Sequence, residues 1–166
     1  WYYPKLKTTE IVATIGNDWA QSAIHNVPTA DIQFKLNGSV AYSEKNVTIY
    51  RWSRTRPIRL WTGTTVSDYA KRDLAYLRAT GLVPNYDPKL QLSATAVSGM
   101  QARYNKSTQG LMGNTLVTAA MPEVGGRGDI GPIPQWDTFA LLTNNPAALT
   151  LSTEVDDSSA VWPIHV

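Results

Sequence analysis

The dipeptide Asn37-Gly38 is the feature that most constrains how this chain can fold. It follows the run 31–36, in which polar and apolar residues alternate with the period of two that is typical of a strand buried on one face. Asn and Gly tolerate the positive φ values that a type I′ turn needs at both central positions. The sequence therefore predicts an antiparallel hairpin, with a returning strand at 39–42.

Three further segments describe the first third of the chain. The run 10–15 reads as a strand that ends at a turn cluster, and the run 47–52 is rich in β-branched and aromatic residues. The polar residues 43–46 lie between apolar runs, which predicts a second turn there. We therefore expect an antiparallel β-rich unit over residues 1–63.

The pattern changes after Gly63 from alternation to helical spacing. Helices are predicted where a capping side chain, or a proline suited to the first helical position, precedes apolar residues spaced three or four apart. The predicted helices are 67–80, 93–104, 134–143 and one that starts at Asn145-Pro146 and fades by 156–158.

Two apolar runs complete the sequence. The run 111–121 is apolar on several sides, which indicates burial, although Gly113 weakens a helical interpretation. The run 160–166 reads as extended. Because the strands come first and the helices afterwards, the order predicts an α+β fold, in which an N-terminal antiparallel β unit is followed by short helical hairpins over residues 64–166.

Composition and charge argue against several functional classes. The net charge of +2 is too small to imply a nucleic-acid partner or an anionic membrane, and no apolar run is long enough to span a bilayer. The chain has no cysteine, which rules out a disulfide framework and a thiolate metal site. The two histidines, His25 and His165, show no metal-ligand spacing. We therefore expect neither a metal ion nor another cofactor.

The segment 51–61 holds four arginines within nine residues, flanked by tryptophans. Arginine binds carboxylates and phosphates through paired hydrogen bonds, and an aromatic ring can stack on a sugar. A solvated edge strand, protected by charge and by Pro57, accounts for the same pattern. Strand alternation would also split the arginines between two faces. The candidate substrate-binding residues in this segment are Arg51, Trp52, Arg54, Arg56 and Trp61.

A glycine-rich loop at 125–129 contains Arg127 and Asp129, and a predicted helix follows it. Glycines permit the backbone to approach a ligand closely, so Arg127 and Trp136 are candidate substrate contacts. Asp129 and Asp137 are candidate acids or bases. The structural alternatives are a turn role for Asp129 and a first-turn carboxylate, favoured by the helix dipole, for Asp137.

Tyr76, on the first predicted helix, is the third candidate for proton transfer. Lys71, Arg72 and Asp73 share parts of the same helix surface. A neighbouring cation stabilises a phenolate, which suits acid–base chemistry on a sugar. An ordinary charged helix surface beside a packed tyrosine explains these residues equally well.

Three phrases of the sequence are longer than the motifs above. They are Arg-Trp-Ser-Arg-Thr-Arg-Pro at 51–57, Leu-Arg-Ala-Thr-Gly-Leu-Val-Pro-Asn-Tyr-Asp at 77–87 and Gly-Asp-Ile-Gly-Pro-Ile-Pro-Gln-Trp at 128–136. Together they resemble segments of large bacterial proteins in which β-sandwich modules precede a helical α/α-toroid, some of them similar to exo-acting rhamnogalacturonan lyases. The resemblance implies the end of a β module followed by the first hairpins of a toroid.

Two functional hypotheses follow. In the first, the chain is a module of a larger extracytoplasmic protein, extracellular or at the cell surface, that handles an acidic glycan; whether it is a lyase, a hydrolase or a binding module is open. In the second, it is a structural assembly protein, such as a fibre, sheath or virion subunit. Its partners would then be subunits of the same assembly, and it would catalyse nothing.

Overall fold

The fold is α+β, as the sequence predicts. The computed structural model describes residues 1–18, 28–65, 71–85, 87, 89, 92–118 and 133–162. Within these ranges the strands are β1 Tyr2–Tyr3, β2 Thr8–Ala13, β3 Thr29–Leu36, β4 Ser39–Thr48 and β5 Ile58–Thr62. The helices are α1 Leu74–Ala79, α2 Ala94–Asn105, α3 Gln135–Thr143, α4 Pro146–Asp157 and a short 3-10 helix at Ser158–Val161.

The chain divides into two compact units that draw on separate parts of the sequence. The β unit comprises Trp1–Ser67, Thr108–Asn114 and Asp157–Val166. The helical unit comprises Asp68–Ser107 and Thr115–Asp156. Two later segments therefore belong to the β unit, and we refer to 108–114 as the returning segment.

The predicted hairpin is confirmed. β3 and β4 pair antiparallel, with Leu36 opposite Ser39. Asn37 has a φ of 50° and Gly38 a φ of 82°, so both central residues of the turn lie in the left-handed region that a type I′ turn requires.

The predicted turn at 43–46 is wrong. These residues continue β4, and the register with β3 shifts between Ala30 and Ile32, which marks a β-bulge. Asn46 takes a positive φ of 56° in the bulge, and its N–H donates to Asp31 Oδ1 at 3.0 Å. The polar residues therefore bend a strand where their composition suggested that the strand would end.

The second sheet is antiparallel, in the order β1-β2-β5. Its β2–β5 pairing runs from Thr9 opposite Thr62 to Ala13 opposite Ile58. Apolar residues from both sheets meet in one core, which also includes the returning segment through Leu111, only 2% exposed. The buried members of this core are Ile32, Val47, Ile49, Ile58, Leu60 and Leu111.

The first predicted helix is shorter than expected. α1 begins at Leu74, where the Asp73 carboxylate accepts a hydrogen bond from the N–H of Tyr76 at 3.0 Å. The predicted start at Ser67 lies outside the described residues, but 71–73 are not helical. Their backbone is bound elsewhere, because the Asn144 side chain bonds both the N–H and the carbonyl of Arg72, at 3.1 and 3.2 Å.

The other three helices are confirmed within a few residues. Ser93 caps α2 by accepting from the N–H of Ala96 at 3.1 Å, and Pro146 is the first residue of α4. These helices bury a core around Trp136 and Val155. The run 111–121 is not helical over its described residues 111–118, and Leu111, Gly113 and Thr115 are buried, as its apolar pattern indicated. One expectation fails: the last residues begin with a 3-10 turn where an extended chain was predicted, although 163–166 lie outside the described residues.

Candidate binding site

A tight turn between Tyr50 and Ser53 displays the first residues of the arginine segment. The N–H of Ser53 donates to the carbonyl of Tyr50 at 3.2 Å, and the Ser53 hydroxyl donates to the same oxygen at 2.7 Å. Ser53 is fully buried, so its side chain holds the turn from inside. Trp52 occupies the third position of the turn with a φ of 63°, a conformation that glycine favours and bulky residues avoid.

The strained residue presents its side chain to solvent. Trp52 is 40% exposed, and the guanidinium carbon of Arg51 lies 5.4 Å from the centroid of its ring. Backbone strain of this kind costs about 1 kcal/mol or more and tends to be retained where function needs the geometry. Of the two predicted substrate contacts in this turn, Trp52 is therefore exposed, and Arg51 is half-buried beside its ring.

An aromatic hollow of about 410 Å³ includes the first residue of this turn. Three separate stretches of the β unit supply its walls: the turn after β4, the returning segment and the 3-10 helix with the residue after it. Tyr50, at 53% exposure, offers a large part of its ring to solvent. The residues that line the hollow are Tyr50, Met112, Asn114, Val161 and Trp162.

Main-chain hydrogen bonds of the arginine segment hold two of the stretches that form the hollow. The N–H of Arg54 donates to the carbonyl of Ala160 at 3.1 Å, and the N–H of Arg56 donates to the carbonyl of Leu111 at 2.8 Å. On the opposite edge the N–H of Thr55 donates to the carbonyl of Ile15 at 2.8 Å. Residues 53–56 are therefore an interior strand-like connection, and only the end of the segment, in β5, lies at the edge of a sheet as the edge-strand interpretation of 51–61 expects.

The arginine side chains do not form one anion-binding face. Arg54 is exposed and pairs with Asp18 at 3.1 Å. Arg56 is buried, and Arg59 forms an ion pair with Asp157. Exposed ion pairs of this type contribute at most about 1 kcal/mol, so Arg54 could exchange its partner for a ligand at little cost. Because Arg56 is buried, its side chain is not accessible to a ligand.

A half-buried polar cluster anchors the returning segment beside this connection. The Tyr42 hydroxyl donates to Glu44, whose carboxylate also accepts from the N–H of Leu111 at 3.0 Å. Burial, above all, and then the hydrogen bond to Glu44 raise the pKa of Tyr42 above its ordinary value of 10.0, while the charge of Arg56 opposes the shift. Neither Tyr42 nor Glu44 lines the hollow.

Two tryptophans that were predicted as substrate contacts, Trp61 and Trp136, pack against other residues of the protein. Trp61 is half-buried and stacks on Tyr3, with ring centroids 5.8 Å apart. Trp136 is only 6% exposed in the core of the helical unit, where its Nε1 donates to Asp156 Oδ1 at 2.8 Å. A ring so deeply buried has no free face to offer a substrate in this structure.

One predicted acid lies at a second cleft, within the helical unit. Asp137 lines a cavity of about 270 Å³ together with Arg72 and Asp156, and the hydroxyl of Ser152 donates to the Asp137 carboxylate. Tyr76 is exposed on α1 and does not line this cavity. The structure therefore does not bring these two candidates together.

The remaining candidates, Arg127 and Asp129, lie outside the described residues, as do the two histidines, His25 and His165. In the ranges that are described, no three His, Cys, Asp or Glu side chains gather into a possible metal site. No helix of the described chain has the length and apolar content needed to cross a bilayer.

Sequence reasoning missed all five residues of the hollow. Met112, Asn114, Val161 and Trp162 come from segments distant in sequence from Tyr50, and the one available signal was the high number of tryptophans. Comparison with known proteins adds no guide, because no family model, no curated protein and no solved structure matches this chain.

Proposed function

We propose that this chain is a carbohydrate-binding module and that the aromatic hollow of the β unit receives the sugar. The observation that carries the proposal is the pairing of an exposed Tyr50 ring with Trp162 in one concave wall. Sugar rings have apolar C–H faces that pack against aromatic side chains, while their hydroxyls need polar partners. An aromatic cavity with a few polar groups meets both needs.

The size and lining of the hollow suit a short glycan segment. A volume of about 410 Å³ lies in the range of small-ligand sites. Met112 and Val161 add apolar wall, and the Asn114 side chain carries both donor and acceptor atoms. These groups support a polyhydroxylated ring as the ligand.

An acidic glycan is the ligand class that we favour. Arg51 adjoins Tyr50 in the turn and lies over the exposed Trp52 ring, so a guanidinium lies beside the aromatic surface. Arg54 can contribute a second one if its exposed pair with Asp18 opens. Because the segments 51–57, 77–87 and 128–136 resemble parts of large bacterial proteins, we further propose that the module belongs to a larger extracytoplasmic protein.

A titration with two probes tests this proposal. We expect an oligogalacturonate to bind more tightly than a neutral cello-oligosaccharide, and Tyr50→Ala to weaken binding by about tenfold or more because the stacking surface is lost. Tyr2→Ala removes an exposed tyrosine elsewhere and serves as the matched control. Equal affinities of wild type and Tyr50→Ala would refute the assignment of the site.

Catalysis is a second candidate, and the cleft at Asp137 favours it. A carboxylate held by a serine hydroxyl, with Arg72 in the same cavity, could transfer a proton on a uronate. Asp137→Asn should then abolish release of product from polygalacturonate, while Asp87→Asn, on an exposed residue, should not. Failure of the wild type to release product would leave the binding function alone.

One observation favours the alternative hypothesis of a structural assembly protein. Trp1, Tyr2 and Leu6 are all exposed on the hairpin of β1 and β2, and exposed apolar groups of this kind are used in subunit contacts. Light scattering separates the two hypotheses, because assembly predicts polymers and carbohydrate binding predicts a monomer whose size does not change with concentration.

A further inference from the structure

A cleft of about 420 Å³ lies between α2 and α4, and it is a separate cavity from the one at Asp137. Each helix contributes residues spaced three or four apart, which lie on one face of a helix. The residues that line the cleft are Gln101 and Tyr104 from α2 and Ala147, Thr150, Leu151 and Glu154 from α4. All of them belong to the helical unit, so the cleft is a groove between two helix faces of one compact unit.

The deepest part of the cleft is apolar. Leu151 is buried in the core of the helical unit, and the half-buried Tyr104 packs against the same core. Ala147 is small and exposed, so it leaves room between the two helices. Small-molecule sites of this volume combine apolar walls with a few polar groups. The cleft can therefore hold the apolar part of a small ligand.

The polar side chains that line the cleft donate hydrogen bonds within the protein. The Tyr104 hydroxyl donates to Glu154 Oε2 at 3.4 Å, and the Thr150 hydroxyl donates to a main-chain carbonyl of its own helix at 3.0 Å. Gln101 Nε2 donates to Asn105 Oδ1 at 2.9 Å. A hydroxyl has a single hydrogen to donate but can also accept. These side chains therefore offer a ligand mainly acceptor atoms: the Thr150 hydroxyl oxygen, the Gln101 amide oxygen and the Glu154 carboxylate.

The charge of the cleft is negative. Among the lining residues that the structure describes, Glu154 alone carries a full charge at neutral pH. Two cations of α2, Arg103 and Lys106, are exposed and lie outside this lining, and Arg103 Nη1 donates to Gln135 Oε1 at 3.4 Å. A half-buried carboxylate is less screened than one in open water, so it attracts a cation more strongly. The aromatic ring of Tyr104 attracts a cation as well.

These properties select one class of ligand. An anion would be repelled by Glu154, and a ligand rich in acceptor atoms would meet acceptors. A primary ammonium group has three donors, no acceptor and a positive charge, so it matches the polar part of the cleft. An alkyl chain attached to it matches the apolar part.

We propose that the cleft between α2 and α4 binds a primary alkylammonium ligand, with the ammonium group at Glu154 and the alkyl chain along Leu151 towards Ala147. Ala147 and Glu154 are seven positions apart on α4, which separates them by about 10 Å along the helix axis. An extended alkyl chain therefore fits between them. This site belongs to the helical unit and does not depend on the carbohydrate proposal for the β unit.

An NMR titration with two probes tests the proposal. Hexylamine carries the ammonium group, and hexanol has the same alkyl chain without the charge. We expect hexylamine to shift the amide resonances of Gln101, Thr150 and Glu154 with saturation, and hexanol to bind about tenfold more weakly or less, because it cannot pair with the carboxylate. Equal affinities of the two probes would overturn the proposal. Shifts that appear only at residues outside the cleft would overturn it as well.

Three variants separate the charge of the cleft from its shape. Glu154→Gln keeps the size of the side chain and should weaken hexylamine binding about tenfold, whereas Asp87→Asn removes one charge at an exposed position elsewhere in the helical unit and should bind as the wild type does. Ala147→Leu fills the cleft from an exposed helical position and should also weaken binding about tenfold while the protein stays folded. Wild-type affinity in either Glu154→Gln or Ala147→Leu would overturn the proposal.

Discussion

The carboxylate of Glu44 accepts a hydrogen bond from the main-chain N–H of Leu111 at 3.0 Å, across 67 positions of sequence. The carbonyl of Leu111 accepts from the N–H of Arg56 at 2.8 Å, and its side chain is buried in the core of the β unit. The returning segment is thus held by both its polar and its apolar groups. Because Met112 and Asn114 follow directly, this contact also sets the wall of the aromatic hollow.

The residue before Leu111 provides the first prediction. Gly110 has a φ of 93°, and a Cβ built on it would lie 2.6 Å from Glu44 Oε1. Gly110→Ala should therefore lower the free energy of unfolding by about 2 to 3 kcal/mol, from backbone strain and displacement of Glu44 together. Urea denaturation measures the change.

Gly38→Ala is the matched control for that substitution. Gly38 has a similar φ of 82° but nothing within 4 Å of its added Cβ. Its replacement should cost only the strain of the left-handed conformation, about 1 kcal/mol. Equal losses in the two variants would show that the Glu44 contact with the returning segment adds no stability.

The raised pKa of Tyr42 predicts a loss of stability in alkali. The folded state holds the phenol proton at pH values where the unfolded chain has released it, so this contribution is complete below pH 10.0 and falls as the pH rises above that value. Tyr42→Phe should remove this part of the fall, and Glu44→Gln should reduce it. Identical slopes of unfolding free energy against pH in wild type and Tyr42→Phe would contradict the assignment.

Replacement of serine by alanine should affect stability differently at the cap of α2 and inside the helix. Ser93→Ala removes the side chain that accepts from the N–H of Ala96 and should destabilise the helical unit by about 1 kcal/mol. Ser98→Ala, at an exposed position inside the helix, should be neutral or stabilise by about 0.5 kcal/mol. Thermal denaturation of both variants checks the sign as well as the size.

At position 52 we expect glycine to give a more stable protein than alanine. Both Trp52→Gly and Trp52→Ala lose the ring, but only glycine accepts a φ of 63° without strain. We expect the glycine variant to be more stable than the alanine variant by about 1 kcal/mol, the reverse of the usual order. An alanine variant that is equally stable would mean that the turn is not strained.

Local chemistry was sufficient to predict much of the fold. The hairpin at Asn37-Gly38, the cap at Ser93 and the helix start at Pro146 each depend on neighbouring residues, and each is present. The turn predicted at 43–46 failed because a bulge uses the same polar residues as a turn. The helix start failed at 71–73 because the distant Asn144 binds the backbone of Arg72 there.

The candidate site was much harder to predict than the fold. The alternation of side chains along a strand suggested that the arginines would lie on two faces. It gave no sign that the main-chain N–H groups of Arg54 and Arg56 would donate to two remote segments. Tyr50 and Trp162 stand far apart in sequence, and only that long-range pairing brings them to one wall. A hollow made by tertiary contacts leaves no local pattern.

The indole N–H resonances of Trp162 and Trp136 provide the most direct test of carbohydrate binding at the hollow. Trp162 lines the hollow, whereas Trp136 is buried in the helical unit with its N–H bonded to Asp156. On titration with oligogalacturonate, we expect the Trp162 resonance to shift with saturation while the Trp136 resonance stays in place. A Trp162 resonance that does not move at saturating glycan would contradict binding at the hollow.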